Sequence, residues 1–401
     1  MVQSDVARAR RAELQEPGAL AAVGILLGVA FGLSTLITPL YLIYQRQFGF
    51  SQITLTLIYA AYVIGNVTAL LFFGRISDRA GRRLIALAAV ATLIVATLVF
   101  LIADGIAALY VARILSGLGI GIASGTGNAW LAELVEKEDR TRATMIGTST
   151  NFLGLGLAAL LSGLLAQYAP WPLQLPFIIY LVLLGAAGAL VWFTPETVVH
   201  PDPGGIRIRP RLSLPQAIRG RFVAPAITGF GLMALVGFYA ALMPAILLHD
   251  LHISNRAAAG ALLFELATLV ALVIITTRTL ASHASMMWSL GLMIPAAAGV
   301  VLAQVSASLP VMLAATAVVA VSTGLGYRGS LQVVNEIAPA DKRAAVVSSY
   351  FVCCFVGNAL PVIGVGVISS VANSIIADVV FSGVIAAFAA IALVFGLIYH
   401  R

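Results

Sequence analysis

The chain has 401 residues, of which 61% are hydrophobic and 10% charged, with a mean hydropathy of +1.03 and a formal net charge of +7. Water-soluble domains carry about 25% charged residues, so this composition excludes a soluble fold and leaves a polytopic membrane protein. The positive excess does not imply a nucleic-acid partner, because it is divided among alternate loops rather than gathered on one face.

Residues 1–18 carry both signs of charge (Arg8, Arg10, Arg11, Glu13, Glu16) and read as a cytoplasmic tail ahead of an uncleaved first span. About 20 apolar residues, at a rise of about 1.5 Å each, cross the hydrocarbon core. Twelve runs meet that length, at 19–44, 54–73, 84–102, 106–131, 143–168, 172–194, 222–247, 257–276, 286–304, 309–332, 344–370 and 374–399. The fold class this predicts is an all-α membrane protein. Nineteen of the 23 Lys and Arg fall in segments on the side of the N-terminus, and two, Arg46 and Arg256, on the other. That asymmetry predicts cytoplasmic N- and C-termini in a bacterial inner membrane.

In span 1, Thr35, Thr38 and Gln45 share a face, and Pro39 predicts a bend. Span 2 presents Tyr59, Tyr62 and Asn66 together. Between spans 2 and 3 stands Gly74-Arg75-Ile76-Ser77-Asp78-Arg79-Ala80-Gly81-Arg82-Arg83. Its glycines permit a sharp turn, and its arginines hold the loop on one side of the bilayer. The pattern resembles the loop 2–3 signature of the major facilitator superfamily, G-x-x-x-D-R-x-G-R-R/K. That resemblance implies twelve helices in two pseudo-symmetric six-helix bundles, with a binding site near the midplane. It also implies a gate in which Asp78 braces the halves. The gate set is Gly74, Asp78, Arg79, Gly81, Arg82, Arg83, Glu133 and Arg142, with the start of span 11 near Ala344 as a further partner.

Span 4 holds Arg113 in Ala112-Arg113-Ile114-Leu115-Ser116-Gly117-Leu118-Gly119, which resembles the family's R-x-x-x-G-x-G signature. By resemblance this arginine faces the cavity and serves substrate binding or proton coupling; a backbone-capping role is the alternative. Gly117, Gly121 and Gly125 form a smooth stripe for close contact, with the glycines of span 5 (Gly147, Gly154, Gly156, Gly163) as its expected partner. Asn128 and Asn151 are further polar positions of spans 4 and 5.

Thr194–Gly220 is rich in proline and arginine and reads as a linker, so the expected organisation is a tail at 1–18, one bundle at 19–194, a linker at 195–221 and a second bundle at 222–399. A shift of 203 residues supports the duplication. It places Phe50-Ser51-Gln52 on Ile253-Ser254-Asn255, Glu133 on Glu336, Gly154 on Gly357 and Gly163 on Gly366. The loop signature weakens to Thr277-Arg278-Thr279-Leu280-Ala281-Ser282-His283, so one gate is expected to be stronger than the other.

Intramembrane charge is costly, about 2.5–3.5 kcal/mol at the centre of a span on insertion scales. Glu265 in span 8, at the position matching Tyr62, is therefore expected to carry a proton or contact substrate. Arg328 in span 10 is expected to pair with Glu265 or read an anion. Tyr239 and Asn358 complete the polar set on spans 7 and 11, where Pro244 and Pro361 also stand. Cys353 and Cys354 are adjacent and read as packing residues.

No phosphate-cradling loop, nucleophile–base motif or metal cluster appears in the sequence, so neither an enzyme nor a cofactor is expected; the proton gradient is the expected drive. His249 and His252 read as solvated loop residues. The expected function is a monomeric secondary transporter of a small organic solute, anionic or zwitterionic from two arginines against one glutamate, with export preferred. Span 5 lacks the Gly-Pro pair of the family's drug–proton antiporters, and few aromatics are expected around the solute. The alternatives are a multidrug or lysolipid exporter, and a transporter-like receptor or assembly factor without flux.

Overall fold

A computed structural model describes residues 14–73, 76–135, 140–198, 212, 214–339 and 341–399, without the side chains of 140 and 141. Gly74, Arg75 and most of the expected linker lie outside the described residues. Among the described residues, twelve helices are long and apolar enough to cross a membrane: Glu16–Phe48, Gln52–Phe73, Arg82–Leu101, Ile106–Leu134, Arg142–Tyr168, Leu175–Phe193, Gln216–His249, Arg256–Thr276, Ser282–Val305, Leu309–Ile337, Arg343–Val371 and Ser374–Ile398. They are numbered here as spans 1 to 12. Each overlaps one predicted run.

Local chemistry sets their ends. Ser51, Asn255, Ser308 and Asn373 accept the backbone N–H of Thr54, Ala257, Val311 and Ile376, so spans 2, 8, 10 and 12 each begin with a polar cap. Pro39 has a visible effect: span 1 changes from α-helix to a 3₁₀ turn at Thr38–Leu40 and resumes at Tyr41. Pro244 and Pro361 sit inside helices that continue through them. Span 2 ends in a π-helical turn, Ala69–Phe73.

The contacts repeat across the two halves. Span 1 packs on spans 4, 5 and 6, span 3 on spans 4 and 6, and span 2 on span 4; the partners six spans later do the same. The shift of 203 holds residue by residue. Gly163 of span 5 lies against Arg256–Gly260 of span 8, and its match Gly366 of span 11 lies against Thr56 of span 2. The turns after spans 1 and 7 both need a left-handed residue, supplied by Gly49 (φ +65) and its match His252 (φ +56). Two pseudo-symmetric six-helix bundles therefore face each other across spans 5 and 8 and spans 2 and 11.

The glycine stripe of span 4 serves a different neighbour from the one expected. Gly117 and Gly121 lie on Tyr62, Asn66 and Ala69 of span 2, while the span-5 glycines spread over spans 4, 1 and 8. Span 2 carries its own Gly65 at this crossing, against Ile114 and Leu118. Close approach here seats the tyrosines of span 2 over Arg113.

Candidate functional site

Where the halves face each other, a cavity of about 240 Å³ is lined from spans 1, 2, 4, 5, 7, 10 and 11. Seven aromatic side chains form its wall: Phe31, Tyr59, Tyr62, Phe152, Tyr327, Phe351 and Phe355. Of the polar residues expected there, Tyr62, Asn66, Thr35, Asn128, Asn151 and Asn358 do line it. Among the described residues no Asp, Glu, Lys, Arg or His does. This corrects two expectations, the scarcity of aromatics and the charged lining.

The three intramembrane charges singled out in the sequence, Arg113, Glu265 and Arg328, lie elsewhere. Arg113 is fully buried one layer behind the wall, with its guanidinium carbon 5.5 Å from the ring centres of Tyr41 and Tyr59 and 5.6 Å from that of Tyr62. It donates to the Ser34 carbonyl at 2.9 Å and to the Tyr41 hydroxyl. Three cation–π contacts, each worth about 0.5–2 kcal/mol, offset the burial of a cation that forms no salt bridge among the described residues. The role that emerges joins backbone capping to support of the tyrosines that face the solute.

Arg328 does not pair with Glu265. Its guanidinium donates to the carbonyls of Thr277, at 2.6 Å, and of Leu280. These carbonyls lie just beyond the end of span 8, where a cation is favoured, and that of Thr277 also accepts the Leu280 N–H at 3.0 Å. Thr277 lies twelve residues beyond Glu265, about 18 Å along a helix. Glu265 itself has one buried carboxylate oxygen, Oε2, without a hydrogen-bond partner, and its charge is felt by Tyr239. Tyr239 shares a hydrogen bond with Thr316, 2.9 Å away.

Two sets of contacts bridge the halves. Tyr59 and Tyr62 both donate to Asn358 Oδ1, at 2.7 and 2.6 Å, and Asn358 Nδ2 donates to the Met233 carbonyl at 3.1 Å. Thr38 donates to the Ala240 carbonyl at 2.7 Å, which makes it a latch rather than a wall residue. Toward the end away from loops 2–3 and 8–9, Arg256 donates to Gln167 and to the Ala166 carbonyl, and Asn255 to Tyr168. At the other end, which carries those basic loops, a cleft of about 220 Å³ separates Thr144 and Thr148 of span 5 from Arg278 and Asn335. Tyr327 lines both this cleft and the cavity, and stands edge-on to Phe152 at 5.8 Å.

The basic loop forms a brace within its own half. Arg82 donates to both oxygens of Glu133, at 2.6 and 3.1 Å, to Ser77 at 2.6 Å and to Asp78 at 2.5 Å. The observed bond of Asp78 thus joins it to span 3, not to the second half. Arg79 lies on the same short helix, Ile76–Ala80, as Asp78. The brace also takes in Glu196, whose role the loop signature does not predict. Its carboxylate accepts the backbone N–H of Arg82 at 2.8 Å and of Arg83 at 3.0 Å, capping span 3 beside Gly81 (φ +99). Thr197 completes Glu133, and Trp130 donates to the Pro195 carbonyl. The signal was present as Pro195-Glu196-Thr197, an acid placed where a helix start lacks one. Arg142 lines a lateral groove of about 690 Å³ between spans 1, 5 and 6, which shares no lining residue with the cavity.

Comparisons with known proteins agree with this architecture. A family profile described as Major Facilitator Superfamily matches residues 22–361. The multidrug transporter MdfA of Yersinia pestis (strain Angola) is 30% identical over 138 residues, 34% of this chain and 33% of that protein. The multidrug resistance protein MdtL of Klebsiella pneumoniae (strain 342) is 27% identical over 126 residues, 31% of this chain and 32% of that one. The matches thus span about a third of the length of these curated relatives. Among solved structures, a bacterial homologue of the human lysosomal transporter Spinster, in an inward-facing and unoccupied conformation, gives a TM-score of 0.69. It is 16% identical, with 95% of this chain and 98% of that chain covered.

Proposed function

The chain belongs to the major facilitator superfamily, and on that premise we propose that it is a proton-coupled secondary transporter exporting largely apolar organic compounds that carry hydrogen-bond donors. The observation that carries this reading is the cavity wall. Seven aromatic rings offer stacking and apolar surface, while two buried amide oxygens, Asn66 Oδ1 and Asn151 Oδ1, have no partner. An unsatisfied buried acceptor is unfavourable until a donor arrives, so the wall suits an amine or hydroxyl on an aromatic frame better than an anion. The names of the MdfA and MdtL relatives are in keeping with such a wall.

Alternating access follows from the same contacts. With both termini in the cytoplasm, as the positive-inside asymmetry favours, the cleft beside Arg278 and Asn335 faces the cytoplasm. The solute enters there and passes the Phe152–Tyr327 pair. Its donors compete with Tyr59 and Tyr62 for Asn358 Oδ1. That competition weakens the bridge holding the far side shut, so occupancy biases the two-state equilibrium. The halves at 19–194 and 222–399 are the moving bodies. No bond in the solute is made or broken.

Glu265 is the group assigned to the proton. An unpartnered carboxylate oxygen in the membrane interior is costly when ionised and is relieved by protonation. The test is uptake of a fluorescent lipophilic amine into inside-out vesicles under an imposed pH gradient. Wild-type protein is expected to drive transport that collapses with the gradient, and Glu265→Gln to abolish the driven component while still binding the dye. Undiminished driven transport in Glu265→Gln removes the glutamate from coupling, and faster transport of an organic anion than of the amine overturns the substrate class.

A further inference from the structure

Three polar side chains meet in the second half at the end away from the basic loops. Asp378, just over one turn into span 12, is 2% exposed. Gln304, in the last turn of span 9, is 3% exposed. Its amide lies beside the Asp378 carboxyl, yet among the described residues neither Oε1 nor Nε2 makes a hydrogen bond of good geometry. Asp250, just past span 7, is near enough for its charge to act on Asp378. Its Oδ1 accepts from Ser374 at 3.2 Å, and its buried Oδ2 is unpartnered.

The fold does not require polarity here. By the shift of 203, Leu101 and Leu175 stand where Gln304 and Asp378 do and exposed Gln47 where Asp250 does, and the adjoining corner between spans 1, 3 and 6 is filled by Tyr44, Phe100 and Phe177. There the two phenylalanine rings stack at 5.2 Å and Tyr44 donates to the Phe100 carbonyl. Aromatic packing closes that corner, so the acids of the second half serve some other end.

The unpartnered amide indicates which. A carboxylate at 378 can accept from Gln304 Nε2 only, and it leaves Oε1 facing a negative charge. A protonated carboxyl donates its O–H to Oε1 and accepts from Nε2, so one proton satisfies both amide atoms and removes the repulsion by Asp250. Among the described residues, the charged or titratable groups acting on this pair of acids are one another and, on Asp250, His249 and His252. Burial pushes the Asp250 carboxyl up, against the opposing pull of the Ser374 bond and the two histidines.

We propose that Asp378, Gln304 and Asp250 form a proton-binding site, separate from the central cavity, whose occupancy holds spans 7, 9 and 12 together at the far end. A carboxyl that stays protonated in the folded state, while the unfolded chain ionises freely, gives stability that falls as pH rises. The test uses the purified full chain in detergent micelles, with thermal unfolding and infrared spectra recorded from mildly acidic to mildly alkaline pH.

The unfolding temperature of the wild type is expected to fall with rising pH, and the spectrum to show a protonated-carboxyl band at neutral pH. Asp378→Asn should flatten the slope and remove the band. Should that variant fail to fold, Gln304→Met keeps the acid and should shift the band to higher frequency, as a carboxyl loses its amide partner. Identical pH profiles and bands in wild type and variants overturn the proposal. So does sodium restoring stability at alkaline pH in the wild type but not in Asp378→Asn, which marks a metal-cation site instead. None of these measurements needs flux, so their failure leaves the transport reading standing.

Discussion

At the basic end of the first half, Arg82 joins Asp78, Ser77 and Glu133, while Glu196 caps the following helix; at the matching level of the second half, Arg328 holds two carbonyl oxygens and Ser282 donates to Glu336. The difference continues inward. Arg113 sits among tyrosines, and its match Thr316 bonds Tyr239, with Glu265 standing where the first half has Tyr62. At the far corner, stacked phenylalanines in one half face Asp250, Gln304 and Asp378 in the other. The first half therefore braces its acids at the basic end, leaves Asp104 exposed at the far end, and holds a buried arginine at its centre. Besides Glu336 and Asp341 at its basic end, the second half places acids at its centre and far end, where protonation changes the charge. One half is built as a fixed frame, and the other carries the groups that respond to protons.

The largest effect expected from this contrast is at the crossing of spans 2 and 4. A Cβ at Gly117 overlaps the Tyr62 carbonyl, whereas the matching position in the second half is already Ala320, buried without clash. Gly117→Ala must push the spans apart and lift Tyr62 from Arg113, at a cost of about 1–3 kcal/mol or more. Ala320→Gly should cost about 0.5–1 kcal/mol, from backbone freedom. Unfolding temperature and the folded fraction on size exclusion measure both. Equal losses would remove the claim that the first half is the tighter frame.

The braces come next. Arg82→Ala strands Asp78 and Glu133, whose side chains are 46% and 38% exposed. The expected loss is therefore about 1–3 kcal/mol, below the 3–5 of a fully buried pair. Arg328→Ala gives up two charge-assisted bonds to carbonyls that water in the cleft can reach, at about 1 kcal/mol. Added salt should narrow the gap between the variants, since it screens carboxylate pairs more than carbonyl contacts. Equal unfolding temperatures for the two variants at low salt would show that the charged loop is no stronger than its match.

Periodicity and the positive-inside bias made twelve spans legible because each needs only length and apolarity. The shift of 203 was legible at Gly163 and Gly366 because close helix approach tolerates little besides glycine. The site was less so. The side chains that line the cavity were found where polarity on an apolar helix exposes them, as at Asn66, Asn151 and Asn358. Arg113, Glu265 and Arg328 were each singled out as costly, yet the two arginines are met by tyrosine rings and backbone carbonyls, and Glu265 Oε2 has no hydrogen-bond partner. Charge counting does not see such partners. Asp378 escaped because one acid near the start of a span reads as an interfacial residue, and only packing shows it buried.

The smallest effect is also the finest division between the halves. Tyr62→Phe removes one of two hydroxyls on Asn358 Oδ1 while Tyr59 keeps the other at 2.7 Å, so stability should fall by only about 0.5–1.5 kcal/mol. The phenyl ring retains its place over Arg113. With one competitor for Asn358 gone, a donor-bearing solute should bind more tightly, by up to about tenfold for each 1.4 kcal/mol released. Its binding should keep the wild-type pH dependence, because nothing titratable near neutrality has changed in the first half. Glu265→Gln, at the matching position of the second half, should do the reverse: affinity close to that of the protonated wild type, with the pH dependence reduced. Calorimetric titration of a lipophilic amine across pH separates the two outcomes. A pH dependence altered by Tyr62→Phe and untouched by Glu265→Gln would move the proton response into the first half and dissolve the division.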